Sequence, residues 1–264
     1  MIRIALLAAT LLASPAAATT QDDVLAATLL SGWQMENGAQ MAALKLTLAP
    51  GWKTYWRSPG DAGIPPSFDW SGSVNVKSVR IHWPAPTVFH TNGMQSIGYH
   101  DQLVLPVEVT PIDPGKPMRL AAQVDLGVCD KICLPASVSL TADLAQPGAA
   151  NAVIEAALGE RPATATEAGV AKVACTVDPI ADGLRLTATI NLPDPGSDEV
   201  VVFETADPSV WVSESETTRS GNQLVAVTEM VADTGTPFAL DRSSLTVTVL
   251  SNGDAIEIHG CPAP

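Results

Sequence analysis

Positive charge is scarce in this 264-residue chain: 14 Lys and Arg stand against 28 Asp and Glu, a formal net charge of −14. Phosphate backbones are bound by clustered Lys and Arg. No basic stripe exists here, so composition disfavours a nucleic-acid partner. Long apolar runs are also lacking. The longest lies at the extreme amino terminus and falls short of the roughly 20 residues a membrane helix needs, which argues against an integral membrane protein. Histidine is rare. His82, His90, His100 and His259 fall in no H-E-x-x-H or Cys/His zinc spacing, so no metal site is expected. No G-x-S-x-G elbow, P-loop or dinucleotide fingerprint occurs. What remains is 46% hydrophobic and 16% charged, enough to build a core. The length suits one large domain or two small ones.

The first residues read as an export signal. Arg3 supplies a positive start, Ile4 to Leu12 an apolar stretch, and Ser14-Pro15 breaks it ahead of Ala16-Ala17-Ala18. That is the small-residue pattern a signal peptidase recognises. Residues 1–18 are therefore expected to be removed, leaving a soluble, exported protein. Export leads to an oxidising compartment, where cysteines pair.

The rest reads as all-β, with two immunoglobulin-like β-sandwich domains joined by a short linker of helical character. Leu44-Lys45-Leu46-Thr47-Leu48 alternates with period two, as a half-buried strand does. Further runs follow at Leu103 to Val109, Leu120 to Val128 and Ser137 to Leu140, separated by turns such as Ser58-Pro59-Gly60-Asp61 and Asp113-Pro114-Gly115. Short strands at this spacing suggest a sandwich. Nine of the twelve aromatic residues lie between Trp33 and Tyr99, giving this half its own core. Residues 146–170 turn to Ala, Pro, Gly and Thr and form the expected linker. Within it, Asn151 to Leu158 suits one short helix with Asn151 as N-cap and Gly159 beyond its end. Residues 171–264 repeat the β pattern at Leu184 to Ile190, Glu199 to Phe203, Gln223 to Met230, Leu245 to Leu250 and Ala255 to His259. Asn252-Gly253 is a hairpin signal between the last two.

Four cysteines allow three pairings, and proximity favours Cys129–Cys133 and Cys175–Cys261. In a chain-entropy view, closing about five residues stabilises by roughly 2 kcal/mol and closing about 87 by roughly 4.6 kcal/mol. The long bridge therefore reads as a structural staple. The short one constrains little. In a continuous strand, positions i and i+4 lie about 13 Å apart, beyond disulfide reach, so the chain must turn between Cys129 and Cys133. A small ring at an exposed hairpin tip suits a reducible disulfide. Lys131 favours a thiolate and Asp130 opposes it, so no unusually acidic cysteine is expected.

Two other clusters are weaker. Asp194, Asp198 and Glu199 form an acidic segment that reads more readily as a solvated loop than as a calcium site. His90, Met94 and His100 lie near one another in sequence and, with reduced cysteines, offer soft ligands for Cu(I).

Three stretches carry a family resemblance. They are Gly51-Trp52-Lys53-Thr54-Tyr55-Trp56-Arg57-Ser58-Pro59-Gly60-Asp61 with Pro65 to Trp70; Trp83-Pro84-Ala85-Pro86 with Gly98-Tyr99-His100-Asp101 and Leu103 to Val107; and Gly127-Val128-Cys129 through Cys133-Leu134-Pro135. Together, over roughly residues 30–145, they resemble the periplasmic amino-terminal domain of DsbD-type thiol:disulfide interchange proteins, particularly the ScsB-like branch. The second half resembles the family's additional β domain only in pattern. The resemblance implies a redox-active pair in an exposed loop of a domain spanning residues 19–145. Cys133 would form the mixed disulfide with partners, and Cys129 would resolve it. A cap over the pair maps onto Phe89 to Met94, including His90, and Tyr55 and Tyr99 fall in the site's surroundings. No cofactor is implied.

There are departures from the family. The cap lacks DsbD's acidic residues and aromatic pair, and the cysteines are closer together. Full-length members continue into a membrane electron carrier and a thioredoxin-like domain, and these 264 residues contain neither. The expected partners are therefore periplasmic thioredoxin-like or DsbC-like redox proteins and a separately encoded membrane electron carrier. The leading expectation is a periplasmic thiol–disulfide exchange protein. Its rivals are a copper-handling binding protein using the reduced cysteines, and a structural β module with two passive disulfides.

Overall fold

A computed structural model describes residues 19–264 except 92, 145, 234, 236 and 237. The expected signal segment lies outside the described residues. After a single turn of helix, α1 (Gln21–Val24), the first half holds β1 (Leu25–Gln34), β2 (Gln40–Leu48), β3 (Lys53–Tyr55), β4 (Ser67–Asp69) and β5 (Val76–Ile81). It continues with β6 (Thr87–Thr91), β7 (Met94–His100), β8 (Gln102–Pro111), β9 (Met118–Cys129) and β10 (Cys133–Leu144). One sheet has the order β1-β2-β8-β5; the facing sheet runs β10-β9-β3-β7-β6, with β4 pairing onto β9.

The pleat explains how this sandwich closes. Successive side chains of a strand point to opposite faces, and Leu44, Leu46, Leu105, Val124, Leu126, Val128 and Trp56 all enter one buried cluster. β2 is buried along nearly its whole length because both of its faces are covered. Ala42 and Leu44 face inward, while Met41 and Ala43 pack with Val104 beneath Ile154 and Ala157 of helix α2 (Ala152–Gly159). The Asn151 side chain accepts from the Val153 N–H at 3.1 Å and caps α2. The expected linker is thus partly a packed element. The helix runs one residue further than the sequence suggests, through Gly159.

The second half holds β11 (Ala163–Thr164), β12 (Lys172–Pro179), β13 (Leu184–Asn191), β14 (Glu199–Glu204) and β15 (Val210–Val212). It ends with β16 (Glu216–Ser220), β17 (Gln223–Ala232), β18 (Thr246–Ser251) and β19 (Asp254–His259). Its sheets have the orders β11-β19-β18-β14 and β12-β13-β17-β15, with β16 pairing β17. Asn252 and Gly253 both have positive φ, 49° and 87°, and close the β18–β19 hairpin as the Asn-Gly signal predicts.

The two sandwiches share packing. On β14, Val201 and Phe203 face the second core, and Val200 and Val202 pack against the first. Leu250 and Ala255 belong to the first cluster outright. Arg57 then crosses the junction. Its guanidinium donates to Glu204 at 2.8 and 2.9 Å and to Glu257 at 2.7 Å, with its other face 4.5 Å from the Trp56 ring centre. Among the described residues, no helix is long and apolar enough to cross a membrane.

Candidate redox site

Strand register assembles the site. Cys129 ends β9, Cys133 opens β10, and the two are direct cross-strand partners joined by a disulfide. The turn between them closes with the Asp130 N–H donating to the Ile132 carbonyl at 3.0 Å. Lys53 of β3 lies opposite Cys129 on one side and His100 of β7 on the other; Tyr55 lies opposite Gly98. Opposed residues share a face of the sheet, so Cys129, Cys133, Lys53, Tyr55 and His100 all lie on the outer face. The intervening Thr54 and Val128 point inward, and the Thr54 hydroxyl donates to the Gly127 carbonyl at 3.0 Å, fixing β3 to β9.

The two cysteines differ in access. Cys129 is 1% exposed, while Cys133 is exposed. The Tyr55 hydroxyl lies 3.6 Å from the Cys133 sulfur; a disulfide sulfur carries no proton, so the phenol donates. Burial raises the Tyr55 pKa, which keeps that proton in place. Two glycines make room for this ring and its strand. A Cβ at Gly127 would meet Ile64 at 2.9 Å and the Tyr55 ring at 3.2 Å, and one at Gly98 would sit 2.0 Å from the Thr54 carbonyl oxygen.

A cleft of about 670 Å³ opens beside the disulfide, lined by Lys53, Phe89, His90, His100, Cys129 and Lys131 among others. Its wall is the β6–β7 hairpin, which is where the expected cap falls; Asn92 of that cap lies outside the described residues. Phe89 packs edge-on to His100 with ring centres 4.3 Å apart. The Lys53 ammonium sits 4.9 Å from the Phe89 ring centre and donates to the Ser96 hydroxyl at 3.1 Å. Burial lowers the Lys53 pKa.

Not every expected neighbour reaches the cysteines. Tyr99 is a core residue, with its hydroxyl donating to the Pro84 carbonyl at 2.9 Å and its ring stacked on Trp83. The cause is parity: Tyr99 pairs with Thr54 and shares its inward face. His90 borders the cleft, but it alternates with Phe89 along β6 and so points to the other side of that strand. Met94 is exposed at the hairpin end. Among the described residues, no three His, Cys, Asp or Glu side chains gather where a metal ion would sit. Glu199 of the acidic segment is tied to Arg219. Lys53, Ser96, Gly98 and Gly127 were missed as site residues, because only register reveals which strands flank β9. The second pair, Cys175–Cys261, forms the other disulfide and is buried at 0% and 1% exposure.

The first half is thus a β-sandwich carrying a cystine at an exposed hairpin tip, walled by a neighbouring hairpin. The family model described as "Thiol:disulfide interchange protein DsbD, N-terminal" matches residues 21–145, and those residues are a DsbD-type amino-terminal domain. Across both sandwiches the chain is similar to the N-terminal periplasmic domain of ScsB from Proteus mirabilis, with 25% identity and a TM-score of 0.67 over 93% of this chain and 96% of that one. No curated protein matches the chain.

Proposed function

We propose that this chain is a periplasmic protein that passes electrons by thiol–disulfide exchange through Cys129 and Cys133. The observation that carries the reading is their unequal access: Cys133 is exposed and touched by the Tyr55 hydroxyl, whereas Cys129 is buried behind it. A partner thiolate attacks the Cys133 sulfur, forming a mixed disulfide and expelling Cys129 as thiolate; in the reverse sense, Cys129 attacks Cys133 and releases the partner. The redox domain comprises residues 19–145, the connection 146–170 and the second domain 171–264, with residues 1–18 a cleaved export signal. The partners are periplasmic thioredoxin-like or DsbC-like proteins and a membrane electron carrier. The ScsB domain that the chain resembles is periplasmic, which supports the compartment.

Thiol trapping in cells tests this reading. Cys129→Ser should accumulate mixed disulfides through Cys133, and Cys133→Ser should abolish them. If the pair stays oxidised in cells with a working reductant, or both variants behave alike, the reading fails.

A further inference from the structure

Lys53 poses an electrostatic question that exchange between the two cysteines does not by itself answer. Its ammonium is half-buried between Phe89, Tyr55 and β7, and its bond goes to the Ser96 hydroxyl rather than to a carboxylate. Burying a cation without a counter-ion is unfavourable, and the lowered Lys53 pKa reflects that. The position is nevertheless specific. Lys53 is in direct register with Cys129, and both line the same cleft. Directly opposed residues of an antiparallel pair keep their Cβ atoms within about 5.5 Å. While the disulfide is closed, no negative charge exists at Cys129. When it opens, a thiolate appears at a sulfur that is 1% exposed and therefore poorly solvated by water.

We propose that Lys53 is the counter-ion of the Cys129 thiolate. The inference rests on the exchange reading above and assigns the charge that reading leaves unbalanced. In reduction, an incoming thiolate bonds to the Cys133 sulfur, the Cys133–Cys129 bond breaks, and its electron pair leaves on Cys129, the register partner of Lys53. In the return step the same thiolate attacks the mixed disulfide and the partner leaves with the pair. A cation on the neighbouring strand stabilises the charge as it forms, and the flexible lysine stem lets the ammonium turn from the Ser96 hydroxyl toward the sulfur. The other groups facing Cys129 do not replace it. Asp130 and Lys131 are exposed on the turn and opposite in sign, His100 is exposed on the far side of Lys53, and the Tyr55 phenol is directed at Cys133.

The test uses the full chain with Cys133→Ala, which leaves Cys129 as a free thiol beside the intact Cys175–Cys261 bridge. Its ultraviolet thiolate absorbance is followed with pH, with Lys53 intact, as Lys53→Met and as Lys53→Arg. Loss of the cation should raise the Cys129 pKa by about one unit or more, a roughly tenfold loss of thiolate at neutral pH. Arginine should restore most of it. With both cysteines present, Lys53→Met should also slow reduction by dithiothreitol several-fold. A Cys129 titration unchanged in Lys53→Met, or displaced equally by Lys53→Arg, overturns the proposal. Should Lys53→Met not fold, Lys53→Gln removes the charge with less change in polarity and is read the same way. Trapping of mixed disulfides in cells is a separate measurement, so failure of the counter-ion and failure of exchange are told apart.

Discussion

The molecule contains two sandwiches with one disulfide each, and the two bridges differ in nearly every physical respect. Cys175–Cys261 joins a strand of one sheet to the end of the other across a buried core, and the Cys175 N–H also donates to the Pro262 carbonyl at 2.7 Å. Cys129–Cys133 joins cross-strand partners of one hairpin on the outer face of its sheet, with Cys133 exposed and Cys129 buried. The first bridge removes freedom from a long stretch of unfolded chain. The second removes much less, because its cysteines are only four positions apart and it closes a very short loop. The same covalent bond is thus buried and long-range in one sandwich and local, at a hairpin tip, in the other.

The largest expected effect follows from loop length. Replacing Cys175 and Cys261 together by Ala should lower the unfolding free energy by about 4–5 kcal/mol, against about 2 kcal/mol or less for the Cys129 and Cys133 double replacement. Urea unfolding of both variants checks this, and equal losses would erase the contrast. Next comes the junction between the sandwiches. Arg57→Ala strands Glu204 and Glu257 in half-buried positions and should cost about 2 kcal/mol. Calorimetry should then resolve separate transitions for the two sandwiches where the parent is expected to give one.

A smaller change sharpens the reactive side of the comparison. Tyr55→Phe removes the hydroxyl 3.6 Å from Cys133, and should alter the rate of disulfide reduction by dithiothreitol several-fold while changing stability by no more than about 1 kcal/mol. The Cys175–Cys261 bridge should show no change in the same assay. The smallest effect lies in the connection. Hydrogen bonds from Arg161 and Thr164 lower the Glu167 pKa from 4.5 to about 2. Stability from this group is therefore fully present above 4.5 and is lost as pH falls through about 2. The group is exposed, so salt should weaken the effect. Arg161→Ala should return the carboxyl toward its ordinary value in an NMR titration.

Alternation made the long strands legible. Leu44 to Leu48, Leu120 to Val128 and Gln223 to Met230 all fall within observed strands, because each covers a core on a defined face. β1 escaped notice: its Leu25-Ala26-Ala27-Thr28-Leu29-Leu30 run has no period two, since parts of both faces are packed. β3 and β4, at three residues each, are too short to show a period. For the site, Cys129, Cys133 and Tyr55 were readable because chain proximity and motif place them. Lys53 lies 76 positions before Cys129 in sequence, and only the β3–β9 register brings it to the sulfur. The resemblance puts Tyr99 in the site's surroundings, yet it pairs with Thr54 and so faces inward, opposite to its neighbour His100. Closeness in sequence is a poor guide on a sheet; parity is a better one.

The register of β9 and β10 also bears on how such a chain can change over evolutionary time. The three residues from Asp130 to Ile132 are exposed and carry no core contact, so insertions there would lengthen the loop and leave the strands intact. A single residue added within β9 would instead turn Cys129 toward the interior and bring Val128 to the surface. Spacing between the two cysteines is therefore free to change by insertion in the turn, whereas the position of Cys129 next to inward-facing Val128 is held by the core.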